Sequence, residues 1–277
     1  MIDKKKIRQS FNSHAASYDE SAHLQRRVAE ELAERIKGLG ISPEAILDIG
    51  TGTGYIPLSM NRLFPAASLQ ACDLARGMLL VARGKSAGRP DRIPDFINAD
   101  AEFLPYRNGT FDLVVSSLAY QWLDDWRVAF GEAARVLRAG GVFCFTTLGS
   151  GTLFELRDAY RRSFDEQGNG ASSPALHKFV RQDELRRDML ESGDFGEVSV
   201  QCRLEREYHA DVRQLLIGLK AIGAQNGSQN RLSGLGRPKV FRGMIDVYER
   251  RYRDPMGIPA TYELLFGFGR KVMRERI

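Results

Sequence analysis

The chain has 277 residues, 43% of them hydrophobic and 27% charged, and a formal net charge of +5. This composition excludes intrinsic disorder, and the length fits one α/β domain with added helices. The basic excess is spread along the chain apart from the run at 4–6, which argues against a nucleic-acid-binding face. Cys72, Cys144 and Cys202 are odd in number and far apart, so neither a disulfide framework nor a zinc site is expected. Because no apolar run reaches the roughly 18 residues of a membrane span and the N-terminus is polar, we expect a cytoplasmic protein.

The N-terminal segment, residues 3–39, is predicted to form two polar, amphipathic helices. In the second, around 22–36, apolar residues recur at four-residue spacing, close to the helical period. These residues are Leu24, Val28, Leu32 and Ile36.

From residue 45 onward, short apolar runs typical of strands alternate with helical segments. The predicted strands cover 45–50, 68–73, 96–100, 111–117 and 142–147. The clearest helix, 124–137, has Asp124 or Asp125 as its N-cap, and Gly140-Gly141 are predicted to end it. This alternation indicates βαβ units and a mostly parallel sheet with helices on both faces.

After residue 147 the alternation loosens. Helices are predicted over 153–164, 182–191, 211–222 and 240–253, strands over 198–208 and 262–270, and loops over 166–174 and 223–238. The fold class is therefore α/β, a Rossmann-like domain with seven strands that covers residues 1–277. Within it we expect a helical N-terminal lid (1–40), a cofactor-binding half (41–150) and a substrate-side half with inserted helices (151–277).

The most informative motif is the glycine-rich loop after the first strand, Asp48-Ile49-Gly50-Thr51-Gly52-Thr53-Gly54. Its glycines allow a sharp turn and a close approach of ligand to main chain, at the strand end where open α/β sheets bind ligands. A dinucleotide fingerprint fails, because Tyr55 or Pro57 stands where its last small residue belongs. The pattern resembles motif I of class I methyltransferases, in which this loop accepts the methionine end of S-adenosylmethionine.

Acidic residues follow the next two strands. Asp73 lies 25 positions after Asp48, where an acid can accept both ribose hydroxyls of a nucleoside. Leu74 and Met78 are suited to flank an adenine ring, and the segment 100–102 (Asp100-Ala101-Glu102) ends the third strand, where such folds bind the adenine amino group. A single acid at a strand end could equally cap a helix. The loop and the acids in this order, each after its own strand, favour S-adenosylmethionine.

Further motifs extend from the N-terminus into the C-terminal half. They are Ile7-x-x-x-Phe11-x-x-x-Ala15-Ala16-x-Tyr18-Asp19 with Gln25, Ala99-Asp100-Ala101-Glu102, Phe111-Asp112-Leu113-Val114, Ser117-x-Ala119-x-Gln121-Trp122, Arg135-Val136-Leu137-x-x-Gly140-Gly141, Thr152 to Arg157, Leu219-Lys220-x-Ile222-Gly223-Ala224 and Tyr248-Glu249-x-x-Arg251. Over nearly the whole chain the sequence resembles the malonyl-acyl-carrier-protein O-methyltransferases of biotin synthesis, the BioC family.

This resemblance implies methyl transfer from S-adenosylmethionine to the free carboxylate of a malonyl thioester, on acyl-carrier protein or coenzyme A. The ester masks a charge, so that fatty-acid enzymes can extend the chain toward pimelate. The cofactor-binding residues expected from motif and resemblance are Tyr18, Gln25, Asp48, Gly50, Thr51, Gly52, Gly54, Asp73, Leu74, Met78, Asp100, Ala101, Glu102 and Ser117.

The chemistry requires no general base, because a carboxyl group with a pKa of about 4 is ionised at pH 7. Accordingly, the sequence shows no Ser/His/Asp or Cys/His constellation and no metal-ligand spacing. Arg157 could pair with the carboxylate bidentately, or lie on an exposed helix face. Tyr18 and Gln121 are neutral donors, Trp122 could wall the site or belong to the core, and His177 is either a substrate contact or a structural group.

Other interpretations stay open at this stage. The basic residues Arg186, Arg187, Lys220, Arg231 and Arg237 could meet an acidic carrier protein or be solvated surface. A class I methyltransferase with another small acceptor, such as a quinone precursor or a free acid, shares every core motif. A nucleic-acid methyltransferase would need a basic stripe with interleaved aromatics, which is not seen. A non-catalytic, cofactor-binding regulator is the alternative from a different class.

Overall fold

The computed structural model describes residues 3–88, 93–123, 125–166, 179–222 and 238–273. Three helices precede the sheet: α1 (Lys4–His14), α2 (Tyr18–Ser21) and α3 (His23–Lys37). The sequence predicted two, because the four residues of α2 are too few to show a period. Asp3 caps α1 by accepting a hydrogen bond from the Lys6 backbone N–H.

The alternating part follows the predicted order. Its elements are β1 (Ala45–Ile49), α4 (Tyr55–Leu63), β2 (Ser68–Asp73), α5 (Arg76–Ser86), β3 (Asp95–Asn98), β4 (Phe111–Ser117), α6 (Trp126–Val136) and β5 (Leu137–Leu148). Asp125 caps α6 by accepting from the Arg127 N–H, whereas Asp124 lies outside the described residues. The prediction that Gly140-Gly141 end this helix was wrong. Leu137 is already extended and pairs with Phe111, so both glycines belong to β5.

The C-terminal half adds four helices and two long strands within the described ranges. They are α7 (Phe154–Glu166), α8 (Gln182–Glu191), β6 (Phe195–His209), α9 (Val212–Ala221), α10 (Pro238–Tyr252) and β7 (Ile258–Lys271). Both strands are longer than predicted, because they pair with each other over nearly their full length. Most of the two predicted loops falls outside the described residues. Among the helices that are described, none is long and apolar enough to cross a membrane.

The strands form one seven-stranded sheet in the order β3-β2-β1-β4-β5-β7-β6. Strands β1 to β5 are parallel, and β7 is antiparallel to both of its neighbours. The predicted Rossmann-like, mostly parallel sheet is thereby confirmed. The strand order reverses between β1 and β4, and at such a switch point the connections leave in opposite directions and open a crevice at the carboxyl ends.

Both faces of the sheet are covered, because neighbouring residues of a strand point to opposite sides. Ile46 and Leu113 pack on one face with α3, α4, α7, α9 and α10. Leu47 and Val114 pack on the other face with α6 and α8. The two apolar clusters hold the central strands rigid, so that the strand ends keep a fixed geometry.

The packing of β7 against β5 gives a first prediction. A Cβ added at Gly267 would lie 2.2 Å from Cε1 of the fully buried Phe145. We therefore expect Gly267→Ala to lower the free energy of unfolding by about 1–3 kcal/mol, the usual cost of overpacking. Urea unfolding followed by circular dichroism measures this change.

Gly131→Ala is the matched control, because Gly131 lies inside α6 with no heavy atom within 4 Å of the added Cβ. It should raise the free energy of unfolding by about 0.5–1 kcal/mol through helix propensity alone. Equal midpoints for the two variants would contradict the packing argument.

Candidate functional site

The glycine loop connects β1 to α4 with a left-handed backbone at three positions. The φ angles are +72° at Gly50, +54° at Gly52 and +92° at Gly54, a region that other residues adopt only with strain. The Gly50 N–H donates to the Cys72 carbonyl at 2.8 Å, which ties the loop to β2. A Cβ at Gly50 would lie 2.3 Å from the Cβ of Ala119. The loop therefore needs glycine for its turn and for its close contact with the segment after β4.

A deep cavity lies at the carboxyl ends of β1, β2 and β4, beneath α1. Eleven of the fourteen predicted cofactor-binding residues line it: Tyr18, Gln25, Gly50, Thr51, Gly52, Asp73, Leu74, Met78, Asp100, Ala101 and Ser117. Asp48, Gly54 and Glu102 do not line it, because Asp48 and Glu102 are buried behind the wall and Gly54 precedes the first turn of α4. The topology thus gathers residues that are far apart in sequence into one site, here called the cofactor cavity.

Helix α1, part of the expected N-terminal lid, contributes a face of the cofactor cavity on which the sequence reasoning placed Phe11 but missed Lys4, Ile7 and Arg8. Lys4, Ile7, Arg8 and Phe11 all line it. Their spacing of three, four and seven places them on one side of a helix, and this spacing was the available signal. We call this face of α1 the roof of the cofactor cavity.

Asp73 has the geometry expected of a ribose acceptor. Its Oδ2 accepts from the Gly52 N–H at 2.8 Å and its Oδ1 from the Ala75 N–H at 2.7 Å. Burial raises the pKa of Asp73 to about 6, although these two hydrogen bonds lower it. Since each carboxylate oxygen has two lone pairs, both oxygens can still accept a hydroxyl group.

Asp48 lies directly under the glycine loop and is 1% exposed. Burial raises its pKa to about 7, and the charge of Asp73 adds to this effect. Its Oδ2 and the neighbouring Thr51 Oγ1 are buried without a hydrogen-bond partner within the described residues. Because buried polar atoms are rarely left unpaired, and the Thr51 hydroxyl acts to lower the pKa of Asp48, these two side chains are placed to pair with each other beneath the loop.

The acids after β3 are engaged by α1. The Lys4 Nζ lies 2.7 Å from the Asp100 Oδ2 and 2.6 Å from the Glu102 Oε2. Burial alone would lower the pKa of Lys4, but the two carboxylates outweigh it and raise the pKa. Glu102 also accepts from the Asp125 N–H at 3.2 Å. Asp100 therefore faces the cofactor cavity with its charge already neutralised in part.

A second cavity shares a wall with the first. Phe11, Tyr18, Gln25, Leu118 and Trp122 line both. The remaining lining is mostly apolar and comes from α3, β5, α7, α9 and β7 and from the segments after β4 and before α8: Leu24, Gln121, Leu148, Thr152, Leu153, Leu156, Arg157, Phe179, Leu219, Ile222 and Tyr262. The predicted substrate-positioning residues Tyr18, Gln121, Trp122 and Arg157 thus meet in this substrate cavity, whereas His177 lies outside the described residues.

Arg157 brings a positive charge into these apolar surroundings. Its guanidinium is half-buried, and its Nη2 donates to the Ser150 carbonyl. Burial lowers its pKa, while the charges of Glu263 and Glu155 act in the opposite direction. A guanidinium nevertheless stays protonated in proteins. No carboxylate within the described ranges forms an ion pair with it, so the substrate cavity favours an anion.

The wall between the two cavities is built from neutral polar and aromatic groups. Tyr18 is partly buried, and desolvation with the nearby charge of Asp73 raises the pKa of its phenol, which stays protonated and can donate. Gln121 donates to the Leu118 carbonyl at 2.6 Å and accepts from Thr147, which leaves one N–H for a ligand. The Gln25 Oε1 is buried without a hydrogen-bond partner in the described part of the chain.

Comparison with known proteins identifies the class of the protein. A sequence profile described as "Methyltransferase domain" matches residues 47–145. In fold, the chain is similar to the YcgJ protein from Bacillus subtilis, with a TM-score of 0.62, 16% identity and coverage of 88% of this chain and 100% of that one. It is also similar to phosphoethanolamine N-methyltransferase 2 from Haemonchus contortus in complex with S-adenosylhomocysteine, with a TM-score of 0.56, 18% identity and coverage of 88% and 53%. Sheet order, glycine loop and profile define a class I, S-adenosylmethionine-dependent methyltransferase.

Relatives that align over nearly the full length of the chain identify its family within this class. The malonyl-[acyl-carrier protein] O-methyltransferase of Geobacter sulfurreducens is 39% identical over 271 residues, 98% of this chain and 100% of the relative. The enzyme of the same description from Gallionella capsiferriformans is 36% identical over 273 residues, 96% of this chain and 90% of that protein. The chain belongs to the malonyl-[acyl-carrier protein] O-methyltransferase family.

The raised pKa of Asp73 gives a pH prediction. Only the ionised carboxylate can accept two hydroxyl hydrogens, so we expect the affinity for S-adenosylhomocysteine to fall as the pH drops through about 6. Isothermal titration calorimetry between pH 5 and 8 measures this affinity. Asp73→Asn should bind about ten- to a hundredfold more weakly, as expected for lost hydrogen bonds to a charged group.

In the Asp73→Asn variant, the affinity for S-adenosylhomocysteine should no longer fall as the pH drops through about 6. Asp48→Asn is the control, because Asp48 is the other acid of the site with a raised pKa, about 7. In this variant the affinity should still fall as the pH drops through about 6. A fall that persists unchanged in Asp73→Asn would contradict the assignment of Asp73.

Proposed function

We propose that this protein transfers a methyl group from S-adenosylmethionine to the free carboxylate of a malonyl group held as a thioester on an acyl-carrier protein. The observation that carries the proposal is the half-buried Arg157 in an apolar cavity that shares a wall with the cofactor cavity. Relatives that span nearly the full chain carry the description of this activity. A cation placed beside the cofactor cavity fits an anionic nucleophile.

The residues of the cofactor cavity fit S-adenosylmethionine. The main chain of the glycine loop, which carries no side chains at Gly50 and Gly52, would bind the methionine end of the cofactor, and Asp73 would bind its ribose. Leu74 and Met78 would flank the adenine ring, whose amino group would donate to Asp100. When bound, the cofactor supplies an activated methyl group whose leaving group is a neutral thioether.

Three predicted residues outside the cavity wall would act from behind it. Asp48 would orient the loop through the neighbouring Thr51 hydroxyl, which acts to lower the pKa of Asp48. Gly54 would permit the left-handed turn into α4. Glu102 would hold Lys4 and, through its N–H, the Asp100 Oδ1 at 3.0 Å.

The substrate side has to orient a group that is already charged. Arg157 would hold one carboxylate oxygen, and Tyr18 and Gln121 would add neutral hydrogen bonds that withdraw less charge from the attacking oxygen. The apolar walls exclude water and hold the oxygen in line with the methyl group. Such orientation contributes about 7–11 kcal/mol to lowering a barrier. The neutral ester no longer pairs with Arg157, which favours release of product.

We also propose that α1 to α3 act as a lid, since they line both cavities, and that the carrier protein approaches the substrate cavity, which is lined by the end of α9 and by Phe179, just before α8 on the other face of the sheet. Arg186, Arg187 and Lys220 are exposed on α8 and α9, and Arg186 lines a groove with Ser150, the residue that holds Arg157. Arg231 and Arg237 lie outside the described residues. Because such carrier proteins are acidic, the positive charges of Arg186, Arg187 and Lys220 would raise the rate at which the carrier protein associates with this protein.

The direct test is transfer of radiolabelled methyl from S-adenosylmethionine to malonyl-carrier protein, with malonyl-coenzyme A and acetyl-carrier protein in parallel. We expect label on both malonyl substrates, more on the carrier-bound one, and none on the acetyl form, which has no free carboxylate. If no substrate is labelled while S-adenosylhomocysteine still binds, the proposed acceptor is wrong.

Replacement of the cation tests its role. Arg157→Met should lower kcat/KM for malonyl-carrier protein by about ten- to a hundredfold, the range for a lost hydrogen bond to a charged group. The affinity for S-adenosylhomocysteine should stay unchanged, because Arg157 does not line the cofactor cavity. Steady-state kinetics and calorimetry measure the two effects.

The matched control is Arg161→Met on the same helix α7. Arg161 is 65% exposed and pairs with Asp158, so its loss should leave kcat/KM within about twofold, as for other exposed ion pairs. An equal loss of activity in both variants would indicate a general effect on α7 and contradict the proposed role of Arg157.

A further inference from the structure

The roof of the cofactor cavity is fastened to the sheet by few polar contacts. At its C-terminal end, the Asn12 Oδ1 accepts from the Gly77 N–H at the start of α5, at 2.7 Å. At its N-terminal end, Lys4 reaches the carboxylates of Asp100 and Glu102. Between them only Ile7 among the residues of α1 is fully buried. Phe11 adds edge contacts with Tyr18 and Trp122 near the C-terminal end of α1, so at the N-terminal end the position of α1 over the cavity depends on the ion pairs of Lys4.

The same ion pairs orient the group that faces the adenine position. Asp100 accepts from the Lys4 ammonium through Oδ2 and from the Glu102 N–H through Oδ1. Each oxygen keeps one lone pair free for a further donor. An adenine amino group and the Lys4 ammonium can therefore be accommodated by one carboxylate at the same time, without displacement of either.

We propose that Lys4 is a positioning residue that couples closure of α1 to occupancy of the adenine end of the cofactor cavity. Its ammonium fixes Asp100 for the adenine amino group and at the same time holds the roof down on the bound nucleoside. Release of S-adenosylhomocysteine then requires the Lys4 ion pairs to break. The inference rests on the proposed cofactor site, because it assigns Asp100 to the adenine.

The alternative is that Lys4 competes with adenine for Asp100. The two possibilities predict effects of opposite sign. If Lys4 competes, its removal frees the carboxylate and tightens cofactor binding. If Lys4 positions Asp100 and the roof, its removal weakens binding and accelerates release.

The test compares Lys4→Met, Lys4→Arg and the control Lys5→Met in the full-length protein. Lys5 is the exposed neighbour on the same helix and does not line the cavity, so its loss removes an equal charge. Calorimetry gives the dissociation constant for S-adenosylhomocysteine, and stopped-flow fluorescence gives its dissociation rate. We expect Lys4→Met to raise both about three- to tenfold, the range for one or two partly exposed ion pairs.

Three further readouts separate positioning from a general loss of structure. Lys4→Arg should restore most of the affinity, and Lys5→Met should match the parent. The salt dependence of the dissociation rate should be weaker in Lys4→Met, because screened ion pairs no longer contribute. KM for malonyl-carrier protein should not change, since Lys4 does not line the substrate cavity.

Tighter binding in Lys4→Met, or equal weakening in Lys4→Met and Lys5→Met, would overturn the inference. If the parent protein itself does not bind S-adenosylhomocysteine, the proposed function fails instead. Normal binding by the parent with unchanged dissociation rates in Lys4→Met would refute only the role of Lys4.

Discussion

The contact between Gly50 and the segment after β4 is the constraint on which the rest of the site depends. The strand order reverses between β1 and β4, so a crevice opens where their carboxyl ends diverge. The loop turns there with φ of +72° at Gly50, against the side chain of Ala119 and with its N–H on the Cys72 carbonyl. This packing leaves the main chain of the loop bare and brings Asp73 within 2.8 Å of the Gly52 N–H. In the proposed site, a methionine end would be held by this loop and a nucleoside by the adjoining end of β2.

The charges of the site are arranged to suit a reaction between a sulfonium and a carboxylate. Acids occupy the cofactor side, where Asp73 and Asp100 line the cavity. The substrate side carries a half-buried cation, Arg157. Between them, the shared wall contains neutral groups such as Tyr18 and Gln25. Since fields are strong where water is excluded, this separation lets each half attract its own ligand while the reacting atoms meet beside neutral donors. The reaction needs orientation more than acid–base chemistry, because a malonyl carboxylate is already ionised at pH 7.

In the proposed mechanism, the helices outside the sheet govern access and specificity. Helix α1 covers the cofactor cavity and meets the sheet through the Lys4 ion pairs, while α7 and α9 enclose the substrate cavity. The sheet can therefore stay rigid while the peripheral helices move, as expected where stability varies across a fold. The general methyltransferase profile matches only residues 47–145, which contain the parallel strands. The relatives with the malonyl description align with nearly the whole chain, and therefore also with the helices outside the sheet.

The sequence by itself determined the seven strands, the glycine loop and the acids at the strand ends, because parallel strands bring their carboxyl ends to one edge of the sheet. It also indicated Arg157 through a local motif. Its errors were local too: α2 was too short to show a period, and Gly140-Gly141 belong to β5 because α6 already ends at Val136 and the strand begins at Leu137, which pairs with Phe111. Only the tertiary structure decided that Asp48, Gly54 and Glu102 lie off the cavity wall and that Lys4 reaches Asp100, 96 residues away. Periodicity reports which face of an element is apolar, but not which distant element covers it, and for that reason the lid contacts could not be read from the chain.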